Sequence, residues 1–181
     1  EGVAGGQISI GSDSSVLLTE SSEVLATSDN GSGGVVDISA QSVTLNQSSL
    51  IDVSGATGGG DIRIAAMESV LVEAGSALSA DALDTGDGGQ VTISADAIRV
   101  SGDISARGGA QSGDGGLVSL NAASTLTLNG SVDVGASNGA QGTVSLSAPE
   151  LEVSDAGEVG QVDLNSVSGS IIALHQTITG D

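Results

Sequence analysis

The chain contains no Phe, Tyr, Trp, Cys or Lys, and a single Pro, Met and His. Each absence excludes something. Without cysteine there is no disulfide framework and no thiolate metal site. Without aromatic rings the core cannot be built on them, and neither a base nor a sugar finds a stacking platform. Without lysine there is no lysine-derived crosslink and no phosphate loop of the Gly-rich-plus-Lys kind. Arg63, Arg99 and Arg107 are the only permanent cations against 23 acidic side chains, for a net charge of -20. The clustered cations that nucleic-acid binding requires are therefore missing. So is a membrane span: the longest aliphatic run is Ile171-Ile172-Ala173-Leu174, against the ~18 residues that a spanning helix needs. No signal peptide is seen and the chain starts at Glu1, which reads as a mature or excised piece of a larger precursor. The lack of cysteine fits an extracellular protein indifferent to redox state.

What is present is small and aliphatic. The 181 residues include 29 Gly, and 38% are hydrophobic, nearly all Val, Ile, Leu and Ala. Acidity without aromatics usually marks disorder, but here the aliphatics are periodic. A motif, Gly-x-[Ile/Val]-x-[Ile/Leu], recurs with its last Gly at 6, 34, 60, 89, 116, 142 and 160. The steps between copies are 28, 26, 29, 27, 26 and then 18 residues. Such a period marks a repeat architecture.

Within each period, alternation at period two predicts three short strands. The first carries Val36/Ile38, Ile62/Ile64, Val91/Ile93, Val118/Leu120 and Val144/Leu146. The second carries Val43/Leu45, Val70/Val72, Ile98/Val100, Leu126/Leu128 and Leu151/Val153. The third carries Ile51/Val53, Leu78/Ala80, Ile104/Ala106 and Val132/Val134, and the first period fits more loosely through Val16/Leu18 and Val24/Ala26. From strand one to strand two the spacing is 7, 8, 7, 8 and 7 residues, too short for a helix. Regular two-residue hairpin turns are absent: Asn30-Gly31, Asn129-Gly130 and Asn138-Gly139 do not recur in register.

These features predict an all-β, right-handed parallel β-helix of about six to seven coils. Each coil adds ~4.8 Å, giving a rod of roughly 30 Å. The repeats span 1–165, and 166–181 reads as an irregular C-terminal segment or partial cap. The alanines at 40, 66, 95, 122 and 148 mark a tight corner, with Met67 at a bend and Pro149 suited to a corner before strand two.

Gly88 to Ala106, Gly-Gly-Gln-Val-Thr-Ile-Ser-Ala-Asp-Ala-Ile-Arg-Val-Ser-Gly-Asp-Ile-Ser-Ala, resembles the repeat of filamentous-haemagglutinin-type exoproteins, and the likeness runs over roughly residues 5 to 153. That resemblance implies a right-handed β-helical shaft, secreted through an outer-membrane partner and used in adhesion and surface structure.

Asp87 and Asp114 sit in matching Gly-Asp-Gly-Gly loops 27 residues apart. Stacked a strand spacing apart, their charges repel, and Ca²⁺ with Asp84 and loop carbonyls as further ligands would relieve this. The bland alternative is solvated turn carboxylates. His175 has no second His or Cys to join it and reads as structural or exposed. Paired acids such as Glu150/Glu152 carry no information in so acidic a chain. Asn30-Gly31-Ser32, Asn46-Gln47-Ser48 and Asn129-Gly130-Ser131 match glycosylation acceptors at a frequency that chance supplies.

The leading functional expectation is a non-enzymatic, extracellular structural protein. It is either the shaft of a surface adhesin, continuing into a longer parent chain, or a fibre subunit associating end to end. The alternative is an adhesive module that binds a cation, or a cell-surface glycan or protein receptor, through the variable loops 81–89 and 107–116. A polysaccharide-acting enzyme is least favoured, because an acidic substrate needs a basic cleft. No required cofactor, nucleic-acid partner or membrane insertion is expected.

Overall fold

The computed structural model describes residues 2–154 together with the backbone of two later strands, Gln161–Asn165 and Ile171–Leu174. The described residues are all β, without a helix. The strands are β1 (Gln7–Gly11), β2 (Ser15–Leu18), β3 (Glu23–Leu25), β4 (Val35–Leu45), β5 (Leu50–Asp52), β6 (Asp61–Val72), β7 (Ala77–Ser79) and β8 (Gln90–Val100). They continue as β9 (Asp103–Ser105), β10 (Leu117–Leu128), β11 (Ser131–Asp133), β12 (Thr143–Ser147), β13 (Glu150–Ser154), β14 (Gln161–Asn165) and β15 (Ile171–Leu174).

Every pairing between them is parallel, each strand lying on its counterpart one repeat later. One sheet runs β1-β4-β6-β8-β10-β12-β14, and the third strands form β3-β5-β7-β9-β11. The chain is therefore a β-solenoid. Five coils carry all three strands, while the first-strand ladder is seven deep. Ile171–Leu174, within the segment expected to be irregular, continues the second-strand ladder by pairing β13.

Register follows the aliphatics. Val36, Ile62, Val91, Val118 and Val144 form one continuous column, and Ile38, Ile64, Ile93, Leu120 and Leu146 another. All ten are buried, as are the third-strand residues Ile51, Leu78, Ile104 and Val132. Alternation places these side chains inward and their Ser, Thr and Asp neighbours outward. These two columns hold Val, Ile or Leu at every level, so the core is aliphatic throughout.

The first and second strands were expected as separate elements, but in β4, β6, β8 and β10 they are one strand bent at the alanine corner. The ladder shifts register there, between Ala40/Ser42, Ala65/Ser69 and Ala122/Thr125. The extra residue lies each time in β6 or β10, the two coils with the 8-residue spacing. This is a bulge that bends the strand without ending the pairing. Met67 stands out on the β6 bulge, 78% exposed. At the equivalent corner between β12 and β13 the strand is interrupted at Pro149, which has no N–H to give.

The turn between the second and third strands changes length along the column. It has four residues in the first three coils (19–22, 46–49 and 73–76) and two in the next two (101–102 and 129–130). The long turns close by Ser22 N–H donating to the Thr19 carbonyl (3.1 Å), with equivalents at Ser49 to Asn46 (3.2 Å) and Ser76 to Glu73 (3.1 Å). Two of them hold consecutive non-glycine residues in the left-handed region: Glu20 and Ser21 (φ 55° and 60°) and Gln47 and Ser48 (φ 51° and 62°). The third coil has Gly75 in this conformation (φ 84°). Left-handed backbone costs a residue with a Cβ ~1 kcal/mol or more. Ser48→Gly is therefore expected to raise stability by about 0.5–1 kcal/mol net of glycine's greater freedom when unfolded. Urea unfolding followed by circular dichroism measures the gain.

Candidate functional site

Outside the core, polar side chains join one coil to the next. The strongest join is at the end of the third strand, where Asp81 and Arg107 occupy neighbouring levels directly after Ala80 and Ala106. Asp81 is 4% exposed. Its Oδ1 accepts from the Arg107 backbone N–H at 2.7 Å, and its Oδ2 accepts from Nε at 3.2 Å and Nη2 at 3.0 Å. Asp133, another level on, lies 3.9 Å from Nε. Beside this pair, the hydroxyls of Ser54, Ser79 and Ser105 form a chain across three coils, at 2.9 and 3.3 Å.

The charge and hydrogen bond of Asp81 raise the Arg107 pKa above the ordinary guanidinium value, with partial burial opposing and Asp133 adding to the rise. A cation raised in this way contributes its stability at every pH below its unfolded value and loses it only above the folded one, outside the working range of the protein. Arg107→Ala leaves the buried Asp81 carboxylate without its cationic partner, although the main-chain N–H of residue 107 remains. The expected loss is about 2–3 kcal/mol, at the low end for a buried pair because the guanidinium itself is half exposed to screening solvent. Arg107→Lys restores the charge without the two-pronged contact and is expected to recover part of the loss in the same unfolding measurement.

A second, exposed ladder runs along the first strand. Arg63 reaches Asp61 at 2.7 Å and Asp37 at 3.7 Å, and Gln7 Nε2 donates to Asp37 at 3.4 Å. Two of the three arginines are thus each shared between two aspartates: Arg63 with one on its own coil and one on the coil before, Arg107 with one on the coil before and one on the coil after.

The residues expected to hold Ca²⁺ lie on the link between the third strand and the next Gly-Gly. Asp87 and Asp114 do sit on successive coils, along a shallow groove floored by Gly58, Gly59, Gly88, Gly89, Gly115 and Gly116. Each carboxylate is engaged by main chain of the following coil: Asp87 Oδ1 accepts from Asp114 N–H and Asp114 Oδ1 from Ala140 N–H, both at 2.8 Å. The like charges are therefore accommodated as acceptors in a coil-to-coil ladder. Asp84 is exposed and held through its main chain, with N–H to the Ala56 carbonyl (3.1 Å) and its own carbonyl accepting from Gln111 N–H (2.8 Å). Among the described residues no three His, Cys, Asp or Glu side chains gather in a group able to hold a metal ion, so Asp84 is not brought together with the other two as a three-carboxylate set. His175 lies outside the described residues.

Asp81 and Arg107 are the residues that sequence reading missed, because both open stretches with the composition of loops. Their signal was the spacing: opposite charges 26 residues apart, each directly after the alanine that closes a third strand. No helix among the described residues is long and apolar enough to cross a membrane. No family model, no curated protein and no solved structure matches the chain.

Proposed function

We propose that this chain is a non-enzymatic structural element of an extracellular protein: a β-solenoid shaft of a filamentous-haemagglutinin-type surface adhesin, or a unit of an extracellular fibre. The observation that carries the reading is where the polar chemistry goes. The buried Asp81 pairs with Arg107 on the next coil, and Asp87 and Asp114 each accept a main-chain N–H of the coil that follows. These charged groups join coil to coil. A continuous aliphatic core and an in-register parallel ladder give length and stiffness. The acidic exterior keeps such columns soluble and apart laterally.

The test is location. Antibodies raised against the chain are expected to label intact, unpermeabilised cells of the source organism or fibres around them. Labelling confined to the cytosol of permeabilised cells would contradict the reading.

A further inference from the structure

The sequence holds five Asn-Gly or Asp-Gly pairs: Asn30-Gly31, Asp87-Gly88, Asp114-Gly115, Asn129-Gly130 and Asn138-Gly139. In such a pair the glycine nitrogen can attack the side-chain carbonyl carbon of the residue before it, since glycine has no Cβ to hinder the approach. The attack needs that nitrogen released from its own hydrogen bond. An engaged N–H reacts only from a locally opened state, and its rate falls with the population of that state.

Four of the five nitrogens are engaged. Gly31 N–H donates to Ser28 Oγ at 2.9 Å. Gly88 N–H donates to the Asp114 carbonyl at 2.8 Å, Gly115 N–H to the Ala140 carbonyl at 2.8 Å and Gly130 N–H to the Val100 carbonyl at 3.1 Å. Gly31 and Gly130 are also buried. Gly139 differs on both counts. Its N–H has no acceptor among the described residues, and it is the one exposed glycine of the five. Asn138 is exposed as well, and its Nδ2 donates to the Ala110 carbonyl at 3.0 Å. Water replaces an exposed contact of that kind at little net cost.

We propose that Asn138 is a site of spontaneous deamidation, and that the fold protects Asn30 and Asn129, which share its local sequence. The Gly139 nitrogen forms a bond to Asn138 Cγ. Its proton leaves with the Nδ2 group as ammonia, and a cyclic imide closes. Water then opens the imide at either carbonyl. One opening leaves aspartate at 138 with the main chain as before. The other leaves an iso-aspartyl link, in which the main chain runs through the side-chain carbons and gains a methylene. The site has no room for it. A Cβ on Gly139 would already lie 2.1 Å from the Gly113 carbonyl oxygen and 2.6 Å from Asp114 Oδ1, and the following Ala140 N–H donates to that same Oδ1 at 2.8 Å. A longer chain at this point displaces the Ala140 N–H from Asp114, so the iso-aspartyl product loosens the joint between two successive coils.

Peptide mapping by mass spectrometry tests this, on the whole chain aged in mildly alkaline buffer with and without denaturing urea. In the folded chain the peptide carrying Asn138 is expected to gain the amide-to-acid mass increment several times faster than those carrying Asn30 and Asn129. Urea is expected to bring the three rates together. Equal rates in the folded chain, or a faster Asn30 or Asn129, overturn the assignment. A lead at Asn138 that survives unchanged in urea overturns the protection by the fold. The variant Asn138→Asp supplies the added charge without the longer main chain. The iso-aspartyl fraction of the aged protein, separated by chromatography, is expected to melt below that variant, and equal melting overturns the loosened joint.

Discussion

Gly89→Ala is expected to cost at least about 3–4 kcal/mol. A Cβ on Gly89 would lie 2.0 Å from the carbonyl oxygen of Gly60 on the coil before it. The same conflict recurs up the column, at 2.0 Å for Gly34 on Gly6, 2.1 Å for Gly60 on Gly34, 2.1 Å for Gly116 on Gly89 and 2.2 Å for Gly142 on Gly116. The obstructing atom is backbone and is already committed. The Gly60 carbonyl accepts from Gln90 N–H at 2.9 Å, and the Gly6, Gly34, Gly89 and Gly116 carbonyls accept likewise from Val35, Asp61, Leu117 and Thr143. Relieving the clash therefore means separating two coils that the rest of the ladder holds a strand spacing apart. Gly6→Ala is the control: nothing lies within 4 Å of its added carbon, because no described coil precedes it. It is expected to change stability by about 0.5 kcal/mol or less. Urea unfolding of the two variants by circular dichroism measures the contrast, and equal losses would show that stacking is not what excludes the methyl.

Ile93→Ala is expected to cost about 3–4 kcal/mol through lost burial and the cavity left in the middle of the column. Ile93 is fully buried, with Ile64 on the level before it and Leu120 on the level after. Both neighbours are fixed by their own strand pairing, so neither can collapse into the gap. Ile10→Ala, in the same column but on coil 1, removes a half-buried side chain and is expected to cost about 1 kcal/mol. Coils contact mainly their neighbours, so a weakened centre divides the column. Ile93→Ala should lower the cooperativity of unfolding as well as its midpoint, and a broadened transition in the denaturant curve reports this.

The stacking itself was legible in the sequence. The columns drawn from Val36 to Val144 and from Ile38 to Leu146 are the observed register, because a period-two strand with one buried face leaves no freedom to slip. The alternation of 7- and 8-residue spacings also located the extra corner residue in β6 and β10, although its consequence, one bent strand in place of two, depends on backbone pairing that spacing does not specify. Less legible were the left-handed turns at Glu20-Ser21 and Gln47-Ser48. Glu, Gln and Ser are not residue types that favour positive φ, and the first turn is tied to the next coil by Ser21 N–H donating to the Gln47 carbonyl at 2.9 Å. Asp81 was obscured in a different way: an aspartate among Gly, Ala and Thr reads as solvated loop until Arg107 is set one level away. The Asp87–Asp114 juxtaposition was legible, but the main-chain N–H groups that engage each carboxylate have no side-chain signature.

The central claim is that successive repeats lie directly on one another along a single axis, and pulsed electron-electron distances between spin labels test it most directly. The absence of cysteine allows labels to be placed at Ser9 with Ser119, and at Ser9 with Ser145, outward positions of one column four and five levels apart. A stacked column requires separations of about 19 and 24 Å between the labelled backbones, lengthening by ~4.8 Å for the added coil. Distances that fail to lengthen with the level, or that shorten from Ser119 to Ser145, would contradict it.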